Sequence, residues 1–197
     1  MARRTAEEAE QTKQAIAAAA KQLFIQQGYQ ATSMEQIRAT SGMSKGSIYY
    51  HFKSKEQLFM YLLELNMVDW IYKCTERFKV ASTATEKLYT IAHHFAHDFE
   101  NPLMQASMEF SGTKGADPEV IEKIVEMSKF PLPLILDVIQ EGIRLNEFAE
   151  DDPEKLALLL YSILGGLGII QFDNYSLEEI ESIHRKAIDV FLNGIRA

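Results

Sequence analysis

Residues 28–58, GYQATSMEQIRATSGMSKGSIYYHFKSKEQL, constrain the fold of this chain more than any other stretch of its sequence. Thr32 and Ser54 are each followed three positions later by Glu or Gln, which is the capping-box pattern at the start of a helix. Gly42 suits the left-handed backbone of a tight turn, and Ser44 is a favoured N-cap for a short second helix. The pattern predicts a helix-turn-helix motif over about residues 33–52. The two predicted capping boxes pair Thr32 with Glu35 and Ser54 with Gln57.

A helical period runs through nearly the whole chain, and no segment alternates as a β-strand does. The sequence therefore predicts an all-α protein, with an N-terminal three-helix module in residues 1–55 and a larger helical body in residues 56–197. The fourth helix carries apolar residues on two faces, so we expect it to bridge the module and the body. Predicted helices span about 9–27, 33–40, 44–51, 55–80, 84–100, 102–112, 117–129, 131–147, 153–172 and 176–194.

The net charge of −8 conceals an asymmetry along the chain. The first 55 residues hold eight Lys/Arg and four Asp/Glu, whereas the remainder holds 12 Lys/Arg and 24 Asp/Glu. A basic module on an acidic body is typical of a protein with a local DNA-contacting surface. A basic face that is merely solvated is the alternative, and charge alone does not decide between the two.

Two features bear on the cellular compartment. The single cysteine, Cys74, excludes an internal disulfide and favours a reducing environment, and the N-terminus lacks an apolar signal core. Residues 156–172 are apolar enough to suggest a membrane span, but they are slightly short, contain three glycines and are flanked by acidic residues. We interpret them as a buried helix and expect a cytoplasmic protein without a membrane partner.

The residues Gly28-Tyr29, Thr32-Ser33-Met34, Ile37, Ser41-Gly42-Met43, Gly46-Ser47-Ile48-Tyr49, His51-Phe52 and Lys55-Glu56 form a specific signature within residues 18–59. In order, spacing and residue type this signature resembles the TetR/AcrR family of transcriptional regulators. The resemblance implies a homodimer that binds a double-stranded DNA operator through residues 1–55. It also implies that residues 56–197 form the dimer and bind a small-molecule effector.

The second helix of the motif carries small hydrogen-bond donors, one cation and aromatic rings, a mixture that suits a DNA groove. Lys45 is the main candidate for reading a base edge, with a phosphate contact as the alternative. Ser33 and Lys55 are each placed to meet a phosphate at a helix start, although Ser33 also suits a pure N-cap role. Gly46 would allow close approach to DNA, and for Tyr49 packing is an equal alternative. The predicted DNA-binding residues are Thr32, Ser33, Ser44, Lys45, Gly46, Ser47, Tyr49, Tyr50, His51 and Lys55.

This predicted recognition helix has no Arg, Asn or Gln, the side chains best suited to bidentate base contacts. We therefore expect sparse direct readout, with DNA shape and backbone contacts supplying much of the specificity. Arg3 and Arg4 could form an arm that reaches into a minor groove.

The last two predicted helices, 153–172 and 176–195, are apolar over most of their surface. Two such pairs could form a four-helix bundle between subunits, which predicts a homodimer. An entirely intramolecular core is the alternative.

The effector site is the least constrained by the sequence. Aromatic and methionine side chains of the body could line a cavity, which predicts an apolar or aromatic effector. His93, His94 and His97 share one helix, but no carboxylate or cysteine identifies a third metal ligand, so no metal site and no cofactor is predicted. The predicted pocket residues are Trp70, His97, Phe99, Met104, Met108, Phe110 and Tyr161.

Three functions compete. A dimeric repressor that an effector releases from its operator fits the sequence best. A dimeric DNA-binding protein without small-molecule control is the second. A helical enzyme or carrier is the third, but the sequence offers no nucleophile–base pair and no phosphate-binding loop, so we expect no catalytic residues.

Overall fold

The computed structural model describes residues 6–98, 101–111, 118–172 and 174–195. These ranges contain ten α-helices and one 3-10 helix, which confirms the all-α fold. The α-helices are α1 (Ala6–Ala31), α2 (Met34–Ser41), α3 (Lys45–His51), α4 (Lys55–Phe78), α5 (Ala84–Asp98), α6 (Pro102–Ser111), α7 (Pro118–Ser128), α8 (Leu132–Arg144), α9 (Pro153–Gly166) and α10 (Leu177–Ile195).

The predicted helices agree with this order, with two local differences. The helix expected over 153–172 is α-helical only to Gly166 and continues as a 3-10 helix, Leu167–Phe172. At the other end of the chain, α1 runs on to Ala31 through a kink at Gly28, where φ is 80° and ψ is 173°. Three helices begin at proline, α6, α7 and α9, because the first helical position needs no backbone N–H donor.

The caps of the motif differ from those predicted. Ser33, not Thr32, is the N-cap of α2, and its capping box is completed by Gln36 rather than by Glu35. Thr32 is 1% exposed and its hydroxyl donates to the carbonyl of Gly28 at 2.8 Å, so it closes the preceding turn instead. The predicted box at Ser54 is half formed, because the Gln57 side chain accepts from the Lys53 amide at 2.7 Å.

The chain divides into two compact units. The first consists of Met1–Asn66 and Pro102–Ile121. Its helices pack around an aromatic cluster in which the Tyr29 and Phe110 ring centroids are 4.5 Å apart and those of Phe24 and Phe59 are 5.0 Å apart. This unit joins α6 to the three N-terminal helices, a partnership that the sequence did not predict.

The second unit consists of Met67–Asn101 and Glu122–Ala197. Its core is built from α5, α8, α9 and α10 around buried aliphatic side chains such as Leu88, Ile139 and Leu160. The chain of α4 crosses from one unit to the other between Asn66 and Met67. The domain boundary predicted between residues 55 and 56 stays a prediction.

Candidate DNA-binding surface

The turn between α2 and α3 is fixed by its caps. Gly42 ends α2 in the left-handed conformation, with φ 68° and ψ 9°, and its amide donates to the carbonyl of Arg38. Ser44 then caps α3, because its hydroxyl accepts from the Ser47 amide at 3.2 Å. Both features agree with the prediction from the sequence, and they end α2 and start α3 within a turn of three residues.

Buried residues hold α3 against its unit from one side only. Ile48 is 1% exposed and Phe52, directly after the helix, is 2% exposed. The opposite face is open, with Tyr50 73% and Tyr49 40% exposed. The other predicted contact residues of this segment lie close together in the chain. Ser44, Lys45 and Gly46 are exposed, while Ser47 and His51 are half-buried. The exposed face of α3, residues 44–51, is the candidate recognition surface.

A shallow groove of about 100 Å³ lies beside this surface and contains a cation that the sequence analysis overlooked. Arg38 of α2 lines it together with Lys45 and Tyr49. Its guanidinium donates to Glu35 through Nε at 2.9 Å and through Nη2 at 2.5 Å. This hydrogen bond lowers the pKa of the Glu35 carboxyl, so the two side chains form an ion pair at neutral pH. The spacing of Glu35 and Arg38 by three residues on one helix was the available signal.

Intramolecular contacts engage the side chains of Thr32, Ser33 and Lys55, which were predicted to contact DNA. The Thr32 side chain is buried and its hydroxyl donates to the carbonyl of Gly28, so in this conformation it is not placed to contact DNA. The hydroxyl of Ser33 accepts the amide of Gln36 at 3.2 Å, and the amide of Ser33 donates to Gln36 Oε1 at 2.8 Å, which together satisfy the N-cap role. Lys55 points its ammonium inward, where it donates to the carbonyls of Tyr29 and Thr32 at 2.8 Å each. Burial lowers the pKa of Lys55, and the nearby Glu109 carboxylate partly offsets that shift.

Glu109 of α6 binds the same turn from the other side. Its carboxylate accepts the amide of Tyr29 at 2.8 Å and that of Gln30 at 3.2 Å. The turn formed by residues 28–32 is therefore held by a carboxylate on its amides and an ammonium on its carbonyls. Burial, with a smaller contribution from Glu56, raises the pKa of the adjacent Tyr29 to about 12, so its phenol stays neutral. No motif in the sequence indicated Glu109, because its partners are backbone groups some 80 positions away.

The predicted effector residues are distributed over both units. Trp70 belongs to the second unit, where its ring lies 5.6 Å from the centroid of His94 and 5.2 Å from that of Phe130. Tyr161, in the same unit, donates its hydroxyl to the carbonyl of Ser128 at 3.2 Å. Phe110 packs in the aromatic core of the first unit. Phe99 lies outside the described residues, as do the side chains of Met104 and Met108.

His94 and Phe130 were absent from the predicted pocket, yet they pack on Trp70. The imidazole Nε2 of His94 is buried and has no hydrogen-bond partner among the described residues. Burial lowers the pKa of His94 to about 4, with Arg77 adding to the effect, so the ring is neutral at physiological pH. A neutral, unpartnered ring nitrogen beside aromatic surface is a suitable hydrogen-bond acceptor for a bound molecule.

Comparison with known proteins gives matches over both parts of the chain. The profile of bacterial regulatory proteins of the tetR family matches residues 6–62, and that of the C-terminal region of QacR-like proteins matches residues 66–197. The transcriptional regulator QacR of Staphylococcus aureus (strain Mu50 / ATCC 700699) is 27% identical over 184 residues, which cover 93% of this chain and 97% of QacR.

Two further proteins extend this comparison. The transcriptional repressor BepR of Brucella suis biovar 1 (strain 1330) is 26% identical, with 83% of this chain and 82% of BepR covered. The crystal structure of FadR from Bacillus subtilis in complex with stearoyl-CoA superposes with a TM-score of 0.73 at 23% identity, covering 93% of this chain and 99% of that one. That likeness shows the fold.

Proposed function

Since the chain belongs to the TetR family of bacterial regulatory proteins, we propose that this transcriptional regulator is a homodimeric repressor that a small molecule releases from its operator. The observation that carries the proposal is the open face of α3, which presents Lys45 and Tyr50 to solvent while Ile48 anchors the helix from behind. A helix held in this way can enter a major groove without rearrangement of its own unit. The name of the Brucella suis relative, a repressor, supports the direction of control.

DNA recognition in this proposal relies on few base contacts. Lys45 reaches a base edge or a phosphate, and Tyr49, Tyr50 and His51 contact sugars, thymine methyl groups and phosphates. Arg38 lines the groove with a guanidinium that can bind bidentately, and Glu35 competes with DNA for it. Specificity therefore depends largely on DNA shape and on the spacing of two half-sites.

Dimerisation would cover an apolar helix that the single chain leaves open. Among the described residues, Pro153–Ile170 has the length and mean hydropathy, 1.4, of a membrane span, but only 22% of this segment is buried within the chain. Leu158, Leu159 and Ile169 are 53%, 52% and 72% exposed, and on α10 Val190 is 62% exposed. A second copy placed on α9 and α10, through about 153–172 and 176–195, would remove this surface from water.

The effector is proposed to be apolar or aromatic and to carry one hydrogen-bond donor. The rings of Phe95 and Phe130 have centroids 5.6 and 5.2 Å from that of Trp70 and supply aromatic surface. His94 supplies the acceptor. The FadR structure, which holds stearoyl-CoA, supports this, because one protein with this fold accommodates a molecule with a long apolar acyl chain.

The coupling element is proposed to be the turn of residues 28–32. Glu109 of α6 holds two amides at the start of this turn, and α2 begins at its end. In the chain, α6 follows α5, which carries His94. An effector that binds better to a conformation with a displaced α6 would shift the start of α2 and with it the recognition surface.

Fluorescence anisotropy with a duplex from the DNA upstream of the gene tests the proposal. We expect Lys45→Ala with Tyr50→Ala to abolish tight binding, while Lys21→Ala, a change of an exposed lysine on α1, leaves it nearly unchanged. If the Lys45→Ala, Tyr50→Ala double variant binds the duplex as tightly as the Lys21→Ala control, with the same salt slope, the assignment of the DNA-binding surface is wrong. Addition of a panel of apolar and aromatic compounds should release the wild-type protein, and binding that no compound affects would favour regulation without an effector.

A further inference from the structure

The packing of α5 on α10 brings together two histidines and a carboxylate. His93 and His97 lie one turn apart on α5, with ring centroids separated by 4.2 Å. Glu181 of α10 reaches both rings: its Oε1 lies 3.3 Å from Nδ1 of His93 and forms a hydrogen bond with Nε2 of His97. One potential ligand atom from each of the three residues lies within 4.8 Å of the other two. Glu181 is the third ligand that could not be identified from the sequence, because it lies 84 positions after His97.

This set of atoms matches the coordination chemistry of a transition metal ion. Two imidazole nitrogens and one carboxylate oxygen are the protein ligands of open zinc sites, where a water occupies the fourth position. Bonds of about 2.0–2.1 Å in a tetrahedron place ligand atoms about 3.3 Å apart. The contact between His93 and Glu181 already has this length, 3.3 Å. His97 and Glu181 would have to separate slightly, as the ion replaces their hydrogen bond.

The surroundings allow an ion to enter. The side chains of His93, His97 and Glu181 are 35%, 39% and 39% exposed, so a hydrated cation can approach and an external water can complete the shell. His93 and Glu181 also line a small cleft of about 80 Å³ with Arg185. The guanidinium of Arg185 lies 5.0 Å from the Tyr89 ring, and this neighbouring cation lowers the expected affinity for a second positive charge.

We propose that His93, His97 and Glu181 form a binding site for a divalent transition metal ion, for which zinc is the best match. The site joins α5 to α10 within the second unit, and a bound ion would cross-link these two helices. It is separate from the recognition surface on α3, and the proposal does not depend on DNA binding. A hydrogen-bonded cluster of Glu181 with two histidines, without affinity for metal, is the competing explanation.

Zinc titration of the untagged, full-length protein against a chromophoric chelator tests the site. We expect one zinc ion per chain, and at least a tenfold loss of affinity in His97→Ala and in Glu181→Gln. The matched control is Glu178→Gln, which removes another carboxylate from the first turn of α10 and should leave the affinity unchanged. Stoichiometric binding that survives His93→Ala with His97→Ala, or no saturable zinc binding by the wild-type protein, would overturn the proposal.

X-ray absorption spectroscopy of the zinc-loaded wild-type protein gives a second test that requires no variant. The proposed site predicts two imidazole nitrogens and one or two oxygens at about 2.0–2.1 Å. A spectrum with a sulfur ligand, or with oxygen ligands alone, would place the ion elsewhere and refute the assignment.

Discussion

Replacement of Gly28 by alanine tests whether Glu109 holds the 28–32 turn as the structure indicates. Gly28 has φ 80° and ψ 173°, a conformation that is nearly restricted to glycine and costs another residue about 1–3 kcal/mol. A Cβ at this position would lie 2.5 Å from Oε2 of Glu109, so the carboxylate must move. It would then lose its bonds to the amides of Tyr29 and Gln30, which are worth about 1.5–2 kcal/mol together at this partly exposed site.

The expected destabilisation by Gly28→Ala is therefore about 2.5–5 kcal/mol. Glu109→Ala alone should cost about 1.5–2 kcal/mol, because it removes the same two hydrogen bonds without backbone strain. The double variant should cost about as much as Gly28→Ala alone, since the carboxylate bonds can be lost only once. The wild type, the two single variants and the double variant form a double-mutant cycle. It should give a coupling free energy of about 1.5 kcal/mol between the two positions.

Urea unfolding at one fixed protein concentration is the appropriate assay, because a dimer's stability depends on concentration. Gly42→Ala is the matched control: φ at Gly42 is also positive, 68°, but an added Cβ would meet no atom of the described residues within 4 Å. This control should cost about 1–2 kcal/mol and add independently to Glu109→Ala. The reasoning is refuted if Gly28→Ala costs no more than Gly42→Ala, or if its effect adds fully to that of Glu109→Ala.

Three further changes test other parts of the molecule. Gly46→Ala should stabilise α3 by about 0.5–1 kcal/mol in urea unfolding, because an added Cβ meets no atom within 4 Å in the described part of the chain. The same change should weaken operator binding in anisotropy, because the new methyl group would face DNA. Unchanged affinity would show that α3 does not approach the DNA closely. Glu35→Gln should release Arg38 and steepen the slope of log K against log salt by about 1, whereas a shallower slope would show that the ion pair itself supports binding. The pKa of His94, about 4 when folded, lies below its unfolded value of 6.5, so the unfolded chain binds more protons and stability is lost as pH falls from 6.5 towards 4. His94→Gln should remove about 1 kcal/mol of that loss between pH values of about 7 and 5, since the half-buried ring is partly screened, and an identical pH profile would contradict the assigned cause.

The helices and their order were predictable because they depend on local sequence. Capping residues, first-turn prolines and apolar periodicity act within a few positions, and the bounds of α2, α3 and α10 follow from them closely. The choice between Thr32 and Ser33 as the N-cap was not predictable in the same way. Both residues cap helices well, and the burial of Thr32 in the preceding turn, a tertiary effect, decides it.

Long-range partners account for most of what the sequence did not indicate. Glu109 binds backbone amides, which every residue offers, so no pattern of side chains marks the contact. Glu181 belongs to a helix that was assigned to dimerisation by its apolar stripe, and only the packing of α10 on α5 places it beside His97. His94 shows the same limitation, since its unpartnered nitrogen is a property of its surroundings and not of its residue type.

The positive charge of the first 55 residues overestimates the attraction that the recognition surface can exert on DNA. Three of the cations near the motif already have partners: Arg38 binds Glu35, Lys53 donates to the carbonyl of Tyr49 at 2.7 Å, and Lys55 binds the carbonyls of the 28–32 turn. Each of these contacts lowers the free energy of the unbound protein and must be weighed against any phosphate contact that replaces it. Lys45 is exposed and has a loose contact, 6.0 Å from its ammonium to the Tyr49 ring, so it is the cation that DNA can use at least cost. We therefore expect a single surface of this kind to bind DNA weakly, and tight operator binding to require that a dimer engage two half-sites at once.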